Sequence, residues 1–120
     1  MGRVPIIRVD GVLIASVQDE LTDRDATQLQ EELTTLIEQS GASGVLLDVS
    51  LMQLIDSFLG RTLHEIALGA RLLGAETVVA GIQPAVAMTL VELGLELNGV
   101  HTALNAERGL KMLNRMTKRG

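Results

Sequence analysis

The chain has 120 residues, 47% apolar and 21% charged, with 12 Gly, 2 Pro and no Cys, which is the composition of one globular domain over residues 1–120 and excludes disorder, disulfides and thiol chemistry. A net charge of −5 and a single aromatic, Phe58, exclude the basic, aromatic-lined groove of a nucleic-acid binder. No apolar run reaches the about 18 residues of a membrane span, and Arg3, Arg8 and Asp10 interrupt any signal-peptide core, so no membrane is expected and the cytoplasm is the expected compartment.

Val4 to Val9 and Val12 to Val17 are β-branched apolar runs around Asp10-Gly11, a pair that favours a type I′ turn, so the chain is expected to begin with a hairpin over 4–17. Thr22 and Asp25 have the spacing of a capping box, and Ala26, Leu29, Leu33, Leu36 and Ile37 then recur at helical period, which predicts a helix to about Ser40 with Gly41 as its stop. Val45 to Val49 reads as a strand covered on both faces. A helix over 57–73 follows, with Leu59, Leu63, Ile66, Ala70 and Leu73 on one stripe and Gly74 at its end. Thr77 to Ile82 is a second buried strand, and Pro84 opens a helix over 84–93 that Gly94 closes. After Asn98-Gly99 a short edge strand is expected near 100–102, and Asn105 caps a last helix to about 116 bearing Ala106, Leu110 and Leu113. Strands alternating with helices predict an α/β domain: a mixed sheet of four or five strands with about four helices packed on it.

Two segments carry more than a single domain needs. In 84–93, the residues Val86, Ala87, Met88, Leu90, Val91 and Leu93 spread around most of the helix, and the mean hydropathy of the chain is +0.31. Either this helix buries a wide face within the domain or it offers a surface to another chain, and the second is the leading reading. Charge is also uneven: residues 1–60 hold ten acids and three bases, residues 61–120 five acids and seven bases. Five of those bases (Arg108, Lys111, Arg115, Lys118, Arg119) crowd the C-terminal stretch, as complements of a helix dipole or as a docking patch.

Catalytic patterns are missing from the sequence. There is no phosphate-binding Gly-rich loop, no nucleophile elbow and no His-Glu-x-x-His, and the only imidazoles, His64 and His101, stand in no metal-ligand spacing. An enzyme, a metal and a cofactor are therefore not expected. The segment Leu54-Ile55-Asp56-Ser57-Phe58-Leu59-Gly60 is the informative one. It follows a buried strand and opens a helix, so Asp56 is a natural N-cap and the Ser57 hydroxyl sits at the positive end of a helix dipole, where a dianion is tolerated. Asp-Ser before a helix is also ordinary capping, and Phe58 serves equally as core or as an apolar anchor for a partner.

On these residues the chain resembles the STAS domain of anti-sigma-factor antagonists, in which an Asp-Ser pair after a central strand carries the phosphorylated serine. Asp48-Val49-Ser50 followed by Ile55-Asp56-Ser57 matches that pattern, and Gly41-Ala42-Ser43-Gly44-Val45, Leu73-Gly74-Ala75 and Gly81-Ile82-Gln83-Pro84-Ala85-Val86-Ala87 through Leu93-Gly94 resemble the RsbS branch, the small STAS proteins of the bacterial stressosome. The similarity covers roughly residues 3–117. Phe58-Leu59 stands where free antagonists carry Ser-Gly, which favours the stressosome branch over a freely diffusing antagonist; a small-ligand-binding STAS module is the third reading. The resemblance implies a non-enzymatic scaffold that assembles with sensor-bearing STAS paralogues of the RsbR type and holds a serine kinase of the RsbT type. The kinase phosphorylates it and leaves, and a phosphatase resets it. Ser57 is then the phosphoacceptor, Asp56, Phe58, Leu59 and Arg61 are the partner-facing residues, and Thr89 is the counterpart of a second phosphoacceptor known in the paralogues.

Overall fold

The turn between the first two strands has the geometry its residues dictate. In a computed structural model that describes residues 4–95, 97 and 99–117, Asp10 and Gly11 have φ of 48° and 81°, the paired left-handed conformations of a type I′ turn. Strand β1 (Ile6–Val9) therefore folds back antiparallel on β2 (Val12–Gln18), with Val9 opposite Val12. Helix α1 (Asp23–Ser40) starts at the expected box: the Thr22 hydroxyl accepts from the Asp25 amide at 3.0 Å, and the Asp25 carboxylate accepts from the Thr22 amide at 3.0 Å. Gly41 ends it in the left-handed conformation.

Four strands then lie side by side in chain order. β2 pairs parallel with β3 (Gly44–Leu51), β3 with β4 (Glu76–Ala80), and β4 with β5 (His101–Ala103), giving the order β1-β2-β3-β4-β5. When successive parallel strands are neighbours and every crossover has the same hand, the connecting helices fall on one face. Accordingly α1, α2 (Ser57–Leu72) and α3 (Pro84–Glu92) share one core with Leu13, Ala15, Val17, Val45, Leu47, Val49 and Val79. The alternate residues Val12, Leu46, Val78 and Ala80 point to the far face, which is covered by α4 (Ala106–Thr117) through the fully buried Leu113. The central strand β3 is thus apolar without alternation because both of its faces are buried.

Several boundaries differ from expectation for identifiable reasons. β4 stops at Ala80 because Gly81 turns to φ 80° and directs its amide to the Ala103 carbonyl at 3.0 Å. β5 lies one residue later than expected, at 101–103. α2 ends at Leu72, so Leu73, expected on the buried stripe, is a half-turned cap residue exposed to solvent. In α3 only Val86 and Leu90 are buried, whereas Met88 and Val91 are 63% and 78% exposed. The wide-buried-face reading of that helix fails, and an apolar stripe is left open. Asn98 and the cations Lys118 and Arg119 lie outside the described residues.

Candidate functional site

Ser57 owes its position to the way β3 ends. Met52, fully buried, anchors the chain under the sheet with its amide on the Val49 carbonyl at 3.0 Å, and the next four residues cross open surface to reach α2. A short irregular stretch of that kind has no ladder or helix to pair its amides. Asp19, just past β2, supplies acceptors: its Oδ1 accepts from the amides of Gln53 at 3.0 Å and Leu54 at 3.1 Å, and its Oδ2 accepts from Gln53 at 3.2 Å. The loop that leads to Ser57 is therefore held by a residue more than thirty positions earlier in the chain.

Asp56 is the N-cap of α2, with extended backbone and its Oδ1 accepting from the Leu59 amide at 2.8 Å. Ser57 is the first helical residue and half-buried, and the Ser57 and Phe58 amides have no intrahelical acceptor. No acidic residue occupies the first turn of α2, so its dipole is not countered from within the helix. Arg61 is exposed one turn further along, and residues four apart lie on the same helix face. The site therefore has three groups that favour an added anion at Ser57: free amides, the helix dipole and a cation.

The surroundings have the opposite character. Asp19, Glu20 and Asp56 line one cleft of about 260 Å³ next to the loop, together with Leu21, Leu54 and Ile55. Three carboxylates make this cleft a poor host for an anionic small molecule. The apolar surface at hand is Leu54, 75% exposed, with Leu51 exposed nearby and Phe58 half-buried against the core. Leu59, expected to face a partner, is only 8% exposed and packs in the core. Its contribution to the site is its amide, not its side chain. Leu54 is instead the exposed apolar side chain of this loop.

Thr89 lies on α3, half-buried, with its hydroxyl donating to the Ala85 carbonyl at 3.0 Å. That bond must be surrendered before the oxygen can act as a nucleophile. The motif running from Gly81 to Pro84 serves structure: the Gln83 side-chain amide donates to the Ser50 carbonyl at 2.6 Å, and Pro84 begins α3. His101 Nε2 lies 3.2 Å from Glu76 Oε1, and among the described residues no three His, Asp or Glu side chains are grouped to hold a metal.

Asp19 is the residue that sequence reasoning misses. Asp19→Ala is expected to cost about 0.5–1.5 kcal/mol, since two exposed loop amides exchange their carboxylate acceptor for water. Hydrogen exchange at Gln53 and Leu54 should accelerate at least tenfold, while Asp19→Asn, which keeps one acceptor oxygen, should lie between the two. Unchanged exchange at both amides in Asp19→Ala would refute the clamp.

A model of the STAS domain matches residues 3–107. RsbS from Moorella thermoacetica, solved as a serine-to-glutamate variant, is 40% identical with a TM-score of 0.86, covering 98% of this chain and all of that one. A chain from a structure described as the molecular architecture of the stressosome, a signal integration and transduction hub, is 40% identical with a TM-score of 0.83, covering 96% of this chain and 100% of that one. The RsbT co-antagonist protein RsbRA of Bacillus subtilis (strain 168) is 26% identical over 116 residues, which is 96% of this chain and 42% of that protein. The chain thus spans about two-fifths of that relative's length.

Proposed function

The chain belongs to the STAS domain family, as an RsbS-like stressosome protein of the anti-sigma-factor antagonist superfamily, and from that premise we propose that it is a scaffold holding a serine kinase of the RsbT type until Ser57 is phosphorylated. The family is non-enzymatic. In this reading the kinase rests on Leu54 and the exposed edge of Phe58, transfers phosphate to the Ser57 hydroxyl, and leaves; a cognate phosphatase restores the serine. The observation that carries it is the position of Ser57 itself: first residue of α2, beside a capping Asp56 and at the end of a loop clamped by Asp19. A phosphate there gains the dipole and Arg61 without disturbing the cap. The RsbS of Moorella thermoacetica was solved with glutamate in place of a serine, and glutamate is a permanent negative charge; Ser57 is the serine of this chain for which the same reading is made.

The open Met88–Val91 stripe of α3 favours assembly with further STAS chains over a freely diffusing antagonist, because a lone domain leaves that apolar surface in water. The partners in that assembly are copies of this chain and sensor-bearing paralogues of the RsbR type, in the cytoplasm. Among the described residues no helix is long and apolar enough to cross a membrane. Phosphorylation with the cognate kinase and ATP, followed by mass spectrometry and a kinase-retention assay, tests the proposal. Modification at Ser57 with loss of the kinase is the expected result. Modification elsewhere with Ser57 untouched would sink it.

A further inference from the structure

The sheet separates two helical faces of opposite charge. Helix α1 has five acids and one base, and it turns Glu31 and Glu38 to solvent two turns apart. On the far side of the sheet, α4 exposes Arg108, Lys111 and Arg115 along one stripe. Among the described residues Lys111 has an acidic neighbour, Glu107 at 3.8 Å in an exposed pair, whereas Arg108 and Arg115 have none. The helix dipole does not account for three cations, because Arg108 stands in the first turn, where a positive charge is unfavourable.

The two faces also match in spacing and shape. Glu31 and Glu38 are seven residues apart, as are Arg108 and Arg115, so each pair spans about 10.5 Å of helix axis. Two helices laid side by side can close both ion pairs at once, with Lys111 between them. α1 has a groove of about 350 Å³ lined by Gln28, Glu31, Glu32, Thr35 and Leu36. Beside α4 lies a cleft of about 440 Å³ bordered by Thr102, Arg108, Lys111 and Arg115, from which Leu104 stands exposed. A further sign is independent of net charge. Glu32 Oε1, on a residue that lines the α1 groove, is buried without a hydrogen-bond partner among the described residues, an unfavourable state for an acceptor that a guanidinium or ammonium docked in the groove would relieve once the side chain turns toward it.

We propose that the basic face of α4 in one copy of this chain docks on the acidic face of α1 in the next. The inference rests on the assembly reading above and adds a second contact to the one offered by α3. It joins two different patches, so it is heterologous: each docked copy leaves one α1 and one α4 free, and growth continues until a ring or shell closes. It also explains why the charge of the chain is divided between its halves.

Sedimentation velocity on the full chain tests it. Two double variants at exposed positions are compared with wild type, Arg108→Glu with Arg115→Glu and Glu31→Lys with Glu38→Lys, with circular dichroism checking the fold. Wild type should associate in 50 mM NaCl and lose its largest species in 500 mM, where exposed charges are screened. Each variant alone should associate at least tenfold more weakly, and an equimolar mixture of the two should recover the wild-type species, since reversed faces complement each other. Val91→Lys marks the α3 contact separately. If Val91→Lys disperses the assembly while both charge variants assemble like wild type, or if the mixture recovers nothing, this contact is wrong and the assembly reading stands. A wild type that stays monomeric at every concentration overturns this contact, and one that also stays monomeric when mixed with its sensor-bearing paralogue overturns both.

Discussion

Ser57→Ala is expected to retain the kinase whether or not ATP is present, and Ser57→Asp to release part of it. The alanine variant should fold as wild type, with stability within about 0.5 kcal/mol, because the cap of α2 is Asp56 and Ser57 contributes no capping bond. Phosphorylation adds about −1.5 to −2 charges and three acceptor oxygens. The domain can accept them through the free amides of the first turn and Arg61. The proposed kinase-docking surface cannot, because Leu54 adjoins a cleft that already holds Asp19, Glu20 and Asp56. A further dianion there raises both the negative field and the cost of drying the contact, and about 1.4 kcal/mol is enough to weaken binding tenfold. Aspartate has half the charge and fewer acceptors, so its effect should be intermediate. Kinase affinity measured on the wild-type, Ala, Asp and phosphorylated forms checks the order. Equal retention by the Ala and phosphorylated forms would rule out this switch.

A second large effect is expected at Gly81, on stability. A Cβ at this position would lie 2.8 Å from Ser50 Cβ, 3.1 Å from Ser50 Cα and 3.2 Å from Ser50 N. The backbone at Ser50 has little room to yield: its amide is held by Asp48 Oδ1 at 3.0 Å and its carbonyl by Gln83 Nε2 at 2.6 Å. Positive φ costs about 1 kcal/mol and the steric clash about 1–3 kcal/mol, so Gly81→Ala should lose roughly 2–4 kcal/mol and lower Tm by on the order of 10 °C. Gly74→Ala is the control. That glycine also has positive φ, 90°, but nothing lies within 4 Å of its Cβ position, so only the backbone term of about 1 kcal/mol should appear. Thermal denaturation of both variants separates the terms, and equal losses would show that the contact with Ser50 is relieved by small shifts.

Elements announced by local chemistry were legible in the sequence. Asp10-Gly11, the Thr22–Asp25 box, Asp56 before α2 and Asn105, whose Oδ1 accepts from the Arg108 amide at 2.9 Å, all act through neighbours within a few residues. The end of β4 was not, because Val78 to Ile82 reads as an unbroken apolar run and the close approach that leaves no room for a side chain at Gly81 is to Ser50, a residue in another strand. At the site, Asp56 and Ser57 could be placed, since capping is local. Leu59 fits both the buried stripe of its helix and a partner-facing position by sequence, and its side chain packs in the core. The clamp from Asp19 joins residues more than thirty positions apart and leaves no periodic signal. The open stripe of α3, by contrast, was visible because a helix apolar around most of its circumference cannot hide it all against one sheet.

The far face of the sheet has a history as well as a structure. Val12, Leu46, Val78 and Ala80 are shielded there by α4, with Leu113 at the centre, and α4 is the last element in chain order. During synthesis the other core can close first, while this half of the sheet waits, wet and apolar, for residues 106–117. At roughly 5–20 residues per second those twelve positions take on the order of a second to make, and exposed strands of that kind are where nascent chains stick to one another. A ribosome that stalls before Asn105, or a protease that nicks there, would therefore leave a product that aggregates and needs a chaperone, even though the helix that begins with Ser57 is already complete.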